Sequence, residues 1–127
     1  MKHAPGFLRL VEEKRRHVCE VSAAEVHARL PARDFYLIDV REDHEWQTGH
    51  IPSARHLGKG ILERDIEQTV PDRDAEIVLY CGGGYRSVLA ADALQQMGYT
   101  RVRSLAGGLR GWIEAGLPVE FPPGANA

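Results

Sequence analysis

The stretch EIVLYCGGGYRSVLAADALQQMGY, residues 76–99, carries the clearest structural pattern of this chain. It opens with an apolar run, 77–80, which is too short for a helix and is typical of a buried β-strand. From Arg86 onward the apolar residues recur at helical spacing, and Gly98 stands where a helix is expected to end. The sequence therefore places Cys81 at the C-terminal tip of a strand, joined by a short loop to the N-terminus of a helix.

The loop after the cysteine has the composition of an anion site. Three glycines allow backbone amides to converge on one point, and the first turn of the next helix adds unpaired N–H groups. A helix N-terminus and a cationic neighbour favour the thiolate form of a cysteine. A buried structural cysteine followed by a turn is the alternative, but three glycines are hard to explain by packing because each loses conformational entropy on folding. We therefore predict a reactive Cys81 with six substrate-binding residues: Gly82, Gly83, Gly84, Tyr85, Arg86 and Ser87.

Composition limits the class of protein and the class of partner. The 127 residues suit one domain, and 16 basic against 18 acidic residues give a net charge of −2. This balance predicts neither nucleic acid nor a membrane as partner. No secretory segment and no apolar run of membrane-spanning length is present, and the two cysteines form neither a disulfide framework nor a zinc motif. We therefore expect a soluble cytoplasmic protein without a metal site.

Helical and extended patterns alternate along the rest of the chain. Helices are predicted over 4–17, 22–30, 41–48, 60–69, 86–97 and from 109 to about 115, and strands over 35–40, 54–57, 77–80 and 101–105. The helix over 60–69 is expected to turn Ile61, Leu62 and Ile66 inward. Such alternation predicts an α/β fold with a mostly parallel sheet. In these sheets ligands bind beyond the carboxyl ends of the strands, which is where Cys81 falls.

Several separate motifs, in this order, resemble those of the single-domain rhodaneses, a family of sulfurtransferases. They are Asp39-Val40-Arg41-Glu42, Glu45-Trp46, Gly49-His50-Ile51-Pro52 with Ala54, Cys81 to Arg86, Met97-Gly98-Tyr99, and Gly107-Gly108 with Trp112. The resemblance runs from about residue 21 to residue 119. It implies a rhodanese-like domain over 21–119, an N-terminal helical extension over 1–20 and a C-terminal tail over 120–127.

The resemblance also implies an architecture and a chemistry. The expected domain has three layers, with a central, mostly parallel sheet flanked by helices. Cys81 is expected to accept sulfane sulfur as a persulfide from a donor such as thiosulfate or another persulfide. An acceptor such as cyanide, a thiol or a sulfur-carrier protein then takes the sulfur. The family chemistry needs no metal and no organic cofactor.

Two other functions compete with sulfur transfer. The first is a phosphatase or arsenate reductase. Related phosphatases have a loop longer by one residue and usually a histidine before the cysteine, whereas Tyr80 precedes Cys81 here and Arg86 follows five positions later. A non-catalytic module that binds a partner or senses oxidants is the second alternative, against which the intact Cys81 and Arg86 argue. Family members that use thiosulfate well often carry extra basic residues near the loop. Arg86 is the sole cation within this loop, so binding of a dianion would depend mainly on backbone amides.

The remaining chemistry-bearing residues have structural interpretations. Asp39 and Arg41 follow a strand, and we expect them to form supporting hydrogen bonds near the site, with Glu45 as a partner of Arg41. His44, His50 and His56 recur at a spacing that fits neither a helix face nor a metal motif, and His50 is interpreted as a hydrogen-bonded turn residue. Trp46 and Trp112 are expected in the core. Cys19 lies outside the resemblance, and we interpret it as an ordinary residue rather than a resolving thiol.

Overall fold

A computed structural model describes residues 2–122 and contains one five-stranded sheet in the order β1-β5-β4-β2-β3. The strands are β1 (Cys19–Val21), β2 (Tyr36–Asp39), β3 (Arg55–His56), β4 (Glu76–Tyr80) and β5 (Arg101–Leu105). Every neighbouring pair is parallel, so the carboxyl ends of all five strands lie at one edge of the sheet. The predicted α/β fold with a parallel central sheet is confirmed.

Helices alternate with these strands, as the periodicity predicts. They are α1 (Pro5–Arg15), α2 (Ala23–Arg29), α3 (Asp43–Trp46), α4 (Lys59–Thr69), α5 (Arg86–Gln96) and α6 (Gly108–Glu114). Ser22 caps α2 as expected, because its side chain accepts a hydrogen bond of 3.1 Å from the backbone N–H of Glu25. α2 ends at Arg29, close to the predicted end at residue 30, and the chain continues into a 3-10 turn over Leu30–Ala32.

The core is divided into two parts by the sheet, which gives the three layers. β4 is buried along its whole length: Ile77 and Leu79 pack into the cluster under α4 and α5, whereas Val78 and Tyr80 pack into the cluster with α2 and α6. Consecutive strand residues point to opposite faces, and a central parallel strand is covered on both. The apolar run before Cys81 is therefore the centre of the molecule.

The N-terminal segment packs against α5. Val11 of α1 is fully buried, and the Gln95 side chain donates a hydrogen bond of 2.8 Å to the carbonyl of His17. The chain then enters the sheet as β1, whose residues Cys19–Val21 pair with β5. This edge strand is absent from the sequence prediction because three residues of mixed polarity show no periodicity.

Several local predictions need correction. The helix expected over 41–48 is a single turn, Asp43–Trp46, and β3 contains two residues instead of four. Ile61 is 40% exposed rather than turned inward, whereas Leu62 and Ile66 are fully buried. Trp112 lies in the core as predicted, but Trp46 is only half-buried. Of the predicted tail, Glu120 pairs with His50 through backbone hydrogen bonds, and residues 123–127 lie outside the described residues.

Within residues 2–122, none of the helices combines the length and the apolar character needed to cross a bilayer.

Candidate active site

Cys81 occupies the position that the sequence predicts, directly after the last residue of β4. The carbonyl of the preceding residue, Tyr80, accepts a hydrogen bond of 2.9 Å from the backbone N–H of Val40. Only 1% of Cys81 is exposed. Five residues later Arg86 begins α5. The sulfur is thus fixed between the carboxyl end of the central strand and the first turn of a helix.

Two backbone amides and one hydroxyl surround the sulfur. The N–H of Gly84 donates to Cys81 Sγ over 3.2 Å, and the N–H of Ser87 donates over 3.4 Å. The hydroxyl of Ser87 lies 3.5 Å from the same sulfur. Donors that converge on one atom stabilise negative charge there, as in an oxyanion hole. Among the described hydrogen bonds to Sγ, only these two members of the predicted six-residue set take part.

The glycine motif after β5 makes this loop conformation possible. The start of α6 contacts the loop directly, since the amides of Leu109 and Arg110 donate to the carbonyls of Cys81 and Gly82 over 2.8 and 2.9 Å. Gly108 has a φ of +56°, and a Cβ there would lie 2.5 Å from the carbonyl oxygen of Cys81. Only glycine allows so close an approach of two backbones. In the sequence, Gly107-Gly108 is recognisable only as a family motif, and this packing role is not predictable from it.

Gly84 is the loop position that most strictly requires glycine. Its φ is +93°, and a Cβ on it would stand 3.0 Å from the backbone nitrogen of Gly107. At Gly83, by contrast, a Cβ would meet the Tyr85 ring at an ordinary 3.5 Å. The positive φ turns the Gly84 amide toward the sulfur, so this glycine shapes the donor set.

Arg86 is paired with a carboxylate from another element. Its Nη1 donates to Glu45 Oε1 over 2.7 Å and its Nη2 donates to Glu45 Oε2 over 2.9 Å. The hydrogen bonds from Arg86 lower the pKa of Glu45 to about 2, and those to Glu45 raise the pKa of Arg86. The prediction that Glu45 partners Arg41 is wrong, because α3 points this carboxylate at the loop. The charge of Arg86 is therefore balanced within the site.

Asp39 and Arg41 form the predicted supporting hydrogen bonds at the same edge. Both are buried, and Arg41 Nη2 donates to Asp39 Oδ2 over 2.8 Å and to the carbonyl of Gly49 over 2.7 Å. The backbone N–H of Arg41 also donates to Asp39 Oδ1 over 2.9 Å. The pair fixes the segment between β2 and Gly49, which carries Glu45. Its contribution to the site is thus to position α3.

A second cation lies near the loop tip. The Arg110 guanidinium is exposed, and its Nη1 lies 3.9 Å from where a Gly83 Cβ would stand. Within residues 2–122 its side chain forms no ion pair. Arg110 is not predicted from the sequence, because it is separated from Cys81 along the chain and approaches the loop only through the packing of α6. The loop tip is therefore flanked by one guanidinium that is not neutralised by a neighbouring carboxylate.

The other side of the loop tip is aromatic. The Tyr85 ring contacts His3, with centroids 4.5 Å apart, and Phe7, with centroids 6.3 Å apart. Arg15 lies over the same ring, with its guanidinium carbon 6.0 Å from the centroid. The N-terminal segment thus holds the Tyr85 side chain.

His44 is part of the single turn α3, and His50 and His56 lie beside it. Trp46 stacks on His50, with centroids 3.6 Å apart, and on His56, with centroids 4.9 Å apart. His50 is buried, and its backbone pairs with Glu120, so it is hydrogen-bonded as predicted; its Nδ1 has no partner among the described atoms. Burial lowers the pKa of His50. Within residues 2–122, no group of three His, Cys, Asp or Glu side chains could hold a metal ion.

Two cavities lie at opposite ends of the strands, and only one of them is at the end that carries Cys81. One of about 740 Å³ opens beside Arg86, between the segment after β2 and the start of α4, and Lys59 and His56 are among its lining residues. The other, about 780 Å³, surrounds Glu76 at the amino end of β4. Ligands of parallel sheets bind at the carboxyl ends of the strands, so the cavity beside Arg86 is the one relevant to Cys81.

Comparison with known proteins identifies relatives of this arrangement. Residues 22–115 match the family model of the rhodanese-like domain. A sulfurtransferase of Allochromatium vinosum is 36% identical over 108 residues, which cover 84% of this chain and 99% of that protein. A tRNA uridine(34) hydroxylase of Citrobacter koseri is 34% identical over 109 residues, which cover 80% of this chain but only 31% of the hydroxylase.

A solved structure shares the architecture as well. The thiosulfate sulfurtransferase of Pseudomonas aeruginosa superimposes with a TM-score of 0.79 at 32% identity. The match covers 88% of this chain and 22% of that enzyme. The same fold thus occurs as a nearly whole small protein and as a part of longer ones.

Proposed function

Because this chain belongs to the rhodanese-like family of sulfurtransferases, we propose that it transfers sulfane sulfur through a persulfide on Cys81. The observation that carries the proposal is the pair of backbone amides, from Gly84 and Ser87, that donate to the Cys81 sulfur. A sulfur held in this way is suited to carry negative charge both before and after it reacts.

The first half-reaction loads the cysteine. The Cys81 thiolate attacks the outer sulfur of the donor, and a new S–S bond forms. The donor's own bond to that sulfur breaks, and its electron pair leaves with sulfite or with a thiolate. The product is an anionic persulfide on Cys81, within reach of the loop amides.

The second half-reaction, unloading, removes the outer sulfur from Cys81. A small thiolate, cyanide or a nucleophilic group of a carrier protein attacks the outer sulfur. The S–S bond of the persulfide breaks, and its electron pair returns to Cys81 Sγ, which becomes a thiolate again. The amides that support the nucleophile therefore also stabilise the leaving group, and the two steps give ping-pong kinetics.

The charges around the loop favour donors with little negative charge. Arg86 is balanced by Glu45, so the approach of a thiosulfate dianion depends on backbone amides and on the exposed Arg110. A persulfidated thiol requires less charge compensation. We therefore propose persulfides as better donors than thiosulfate and a small thiol or a carrier protein as acceptor.

Intact mass after incubation with a donor tests the proposal. Protein incubated with thiosulfate, or with a persulfidated small thiol, should gain one sulfur and lose it again on addition of cyanide. Cys81→Ser should gain none while keeping its fold, because a hydroxyl does not carry a persulfide. Cys19→Ser is the matched control, since Cys19 is the other free cysteine and is exposed.

Two results would overturn sulfur transfer. One is a well-folded Cys81→Ser protein that still forms thiocyanate. The other is a wild-type protein that stays unmodified by both donors but hydrolyses an aryl phosphate or binds a partner through the loop, as the phosphatase and binding-module alternatives require.

A further inference from the structure

Two buried serine hydroxyls, one behind the other, lead away from the Cys81 sulfur. Ser87 Oγ lies 3.5 Å from Cys81 Sγ, and on its other side it lies 2.7 Å from Ser104 Oγ. The two serines are fully buried and come from different elements, the first turn of α5 and the end of β5. Nothing in the sequence singles out Ser104, which stands in the strand pattern Arg-Val-Arg-Ser-Leu.

This row of sulfur and hydroxyls has two directions of hydrogen bonding, and the charge on the sulfur selects between them. Each serine has one proton to donate. When Cys81 is a thiol, its S–H donates to Ser87, which is then free to donate to Ser104. When the sulfur is an anion it only accepts, so Ser87 donates to it and must accept from Ser104 instead. The short distance between the serines makes this exchange of roles feasible, and linked hydrogen bonds polarise one another.

We propose that Ser104 is a positioning residue for sulfur transfer, because its hydroxyl donates to Ser87 Oγ and so turns the Ser87 hydroxyl toward the negatively charged Cys81 sulfur. We call this chain of hydrogen bonds, from Ser104 through Ser87 to Cys81, the relay. The relay itself depends only on the ionisation of Cys81. Its effect on turnover rests on the proposed function.

The relay should affect the two half-reactions differently. In unloading, Cys81 leaves as a thiolate, and a better stabilised thiolate leaves faster. In loading at a pH where the thiol is already ionised, the same stabilisation makes the nucleophile slightly weaker. Loss of Ser104 should therefore slow unloading and leave high-pH loading unchanged or marginally faster. A merely structural hydrogen bond between β5 and α5 would show no such asymmetry.

Threonine and valine at position 104 provide the matched comparison. They have nearly the same shape and suit a strand, but only threonine carries a hydroxyl. Ser104→Ala is a second hydroxyl-free variant, and Val102→Ala, a buried change two residues earlier on the same strand, controls for loosening of β5. All variants are made in a Cys19→Ser background, so that alkylation reports only on Cys81.

The first measurement is the pH dependence of Cys81 alkylation, which needs no sulfur transfer. We expect its midpoint to move up by about half a pH unit in Ser104→Val and Ser104→Ala, because one supporting hydrogen bond of a linked chain is lost. Ser104→Thr and Val102→Ala should keep the wild-type midpoint. In a Ser87→Ala background, Ser104→Val should have no further effect, since the relay is already broken.

The second measurement is the single-turnover discharge of the persulfide to a small thiol. It should slow by about twofold in Ser104→Val and Ser104→Ala, because the discharge rate follows the half-unit shift with a Brønsted slope of only about one half. A wild-type alkylation midpoint in the folded hydroxyl-free variants would overturn the relay. A shifted midpoint in a protein that never accepts sulfur would leave the relay standing and refute the proposed function.

Discussion

Arg86 Nη1 and Nη2 donate to the two carboxylate oxygens of Glu45 over 2.7 and 2.9 Å. This bidentate pair joins the start of α5 to the single turn α3, across 41 positions of the chain. A guanidinium that is saturated by a carboxylate in this way offers less positive charge to a ligand. The only cation within the loop therefore shapes the site more than it attracts an anion.

Glu45→Gln should improve the use of thiosulfate. The variant keeps the side-chain shape but removes the negative charge, so the Arg86 guanidinium becomes available to a dianion. We expect kcat/KM for thiosulfate to rise by about threefold to tenfold, and that for a persulfidated thiol to change less than twofold. Glu114→Gln, an exposed change of the same charge on α6, is the control for net charge. A fall in thiosulfate activity would mean that the pair is needed to hold the loop.

Gly84→Ala should damage the site, whereas Gly83→Ala should be tolerated. A Cβ at Gly84 combines a φ of +93° with a distance of 3.0 Å to Gly107 N, whereas at Gly83 the nearest atom is a ring carbon at 3.5 Å. We expect Gly84→Ala to lose about 1–3 kcal/mol of unfolding free energy and most of its sulfur transfer. Denaturant unfolding and persulfide formation are the two measurements. Equal behaviour of both alanine variants would contradict the role given to Gly84.

Arg110→Ala should weaken the use of anionic donors. Arg110 is exposed near Gly83 and is not neutralised by a carboxylate within residues 2–122, so it attracts anions mainly during encounter. We expect kcat/KM for thiosulfate to fall by about threefold at low ionic strength, with a smaller difference in high salt. Arg101→Ala, at the opposite edge of the sheet, should not have this effect. A salt-independent loss would indicate a packing role instead.

His50 should make the fold sensitive to mild acid. Burial lowers the pKa of His50 in the folded state, so folding favours the neutral ring. The neutral His50 ring therefore contributes fully to the stability of the fold above its unfolded-state pKa of about 6.5. This contribution is lost as the pH falls below that value. His50→Phe keeps a ring against Trp46 but does not titrate, so its Tm should fall less between pH 7.5 and pH 5.5 than that of the wild type. The exposed His44→Gln should behave like the wild type, and a steeper fall in His50→Phe would contradict this assignment.

The arrangement around Cys81 could be predicted because it is local. The apolar run ending at Tyr80, the glycine loop and the helical spacing after Arg86 each depend on neighbours within a few residues. Backbone preferences and periodicity act at that range, so the sequence alone determines a cysteine at the tip of a central strand before a helix N-terminus. The hydrogen bonds between Asp39 and Arg41 were predictable for the same reason, since the residues are two positions apart.

The partners of that cysteine were decided by the tertiary structure. Glu45, Gly108 and Ser104 reach the loop from α3, α6 and β5, and each does so only because the strand order is β1-β5-β4-β2-β3. Periodicity gives a strand and its buried faces but does not give its neighbours in the sheet. The sequence alone therefore determines where Cys81, the proposed nucleophile, stands. The packing of distant segments decides which charges are neutralised, how closely two backbones approach and which hydroxyl bonds to Ser87 behind the sulfur.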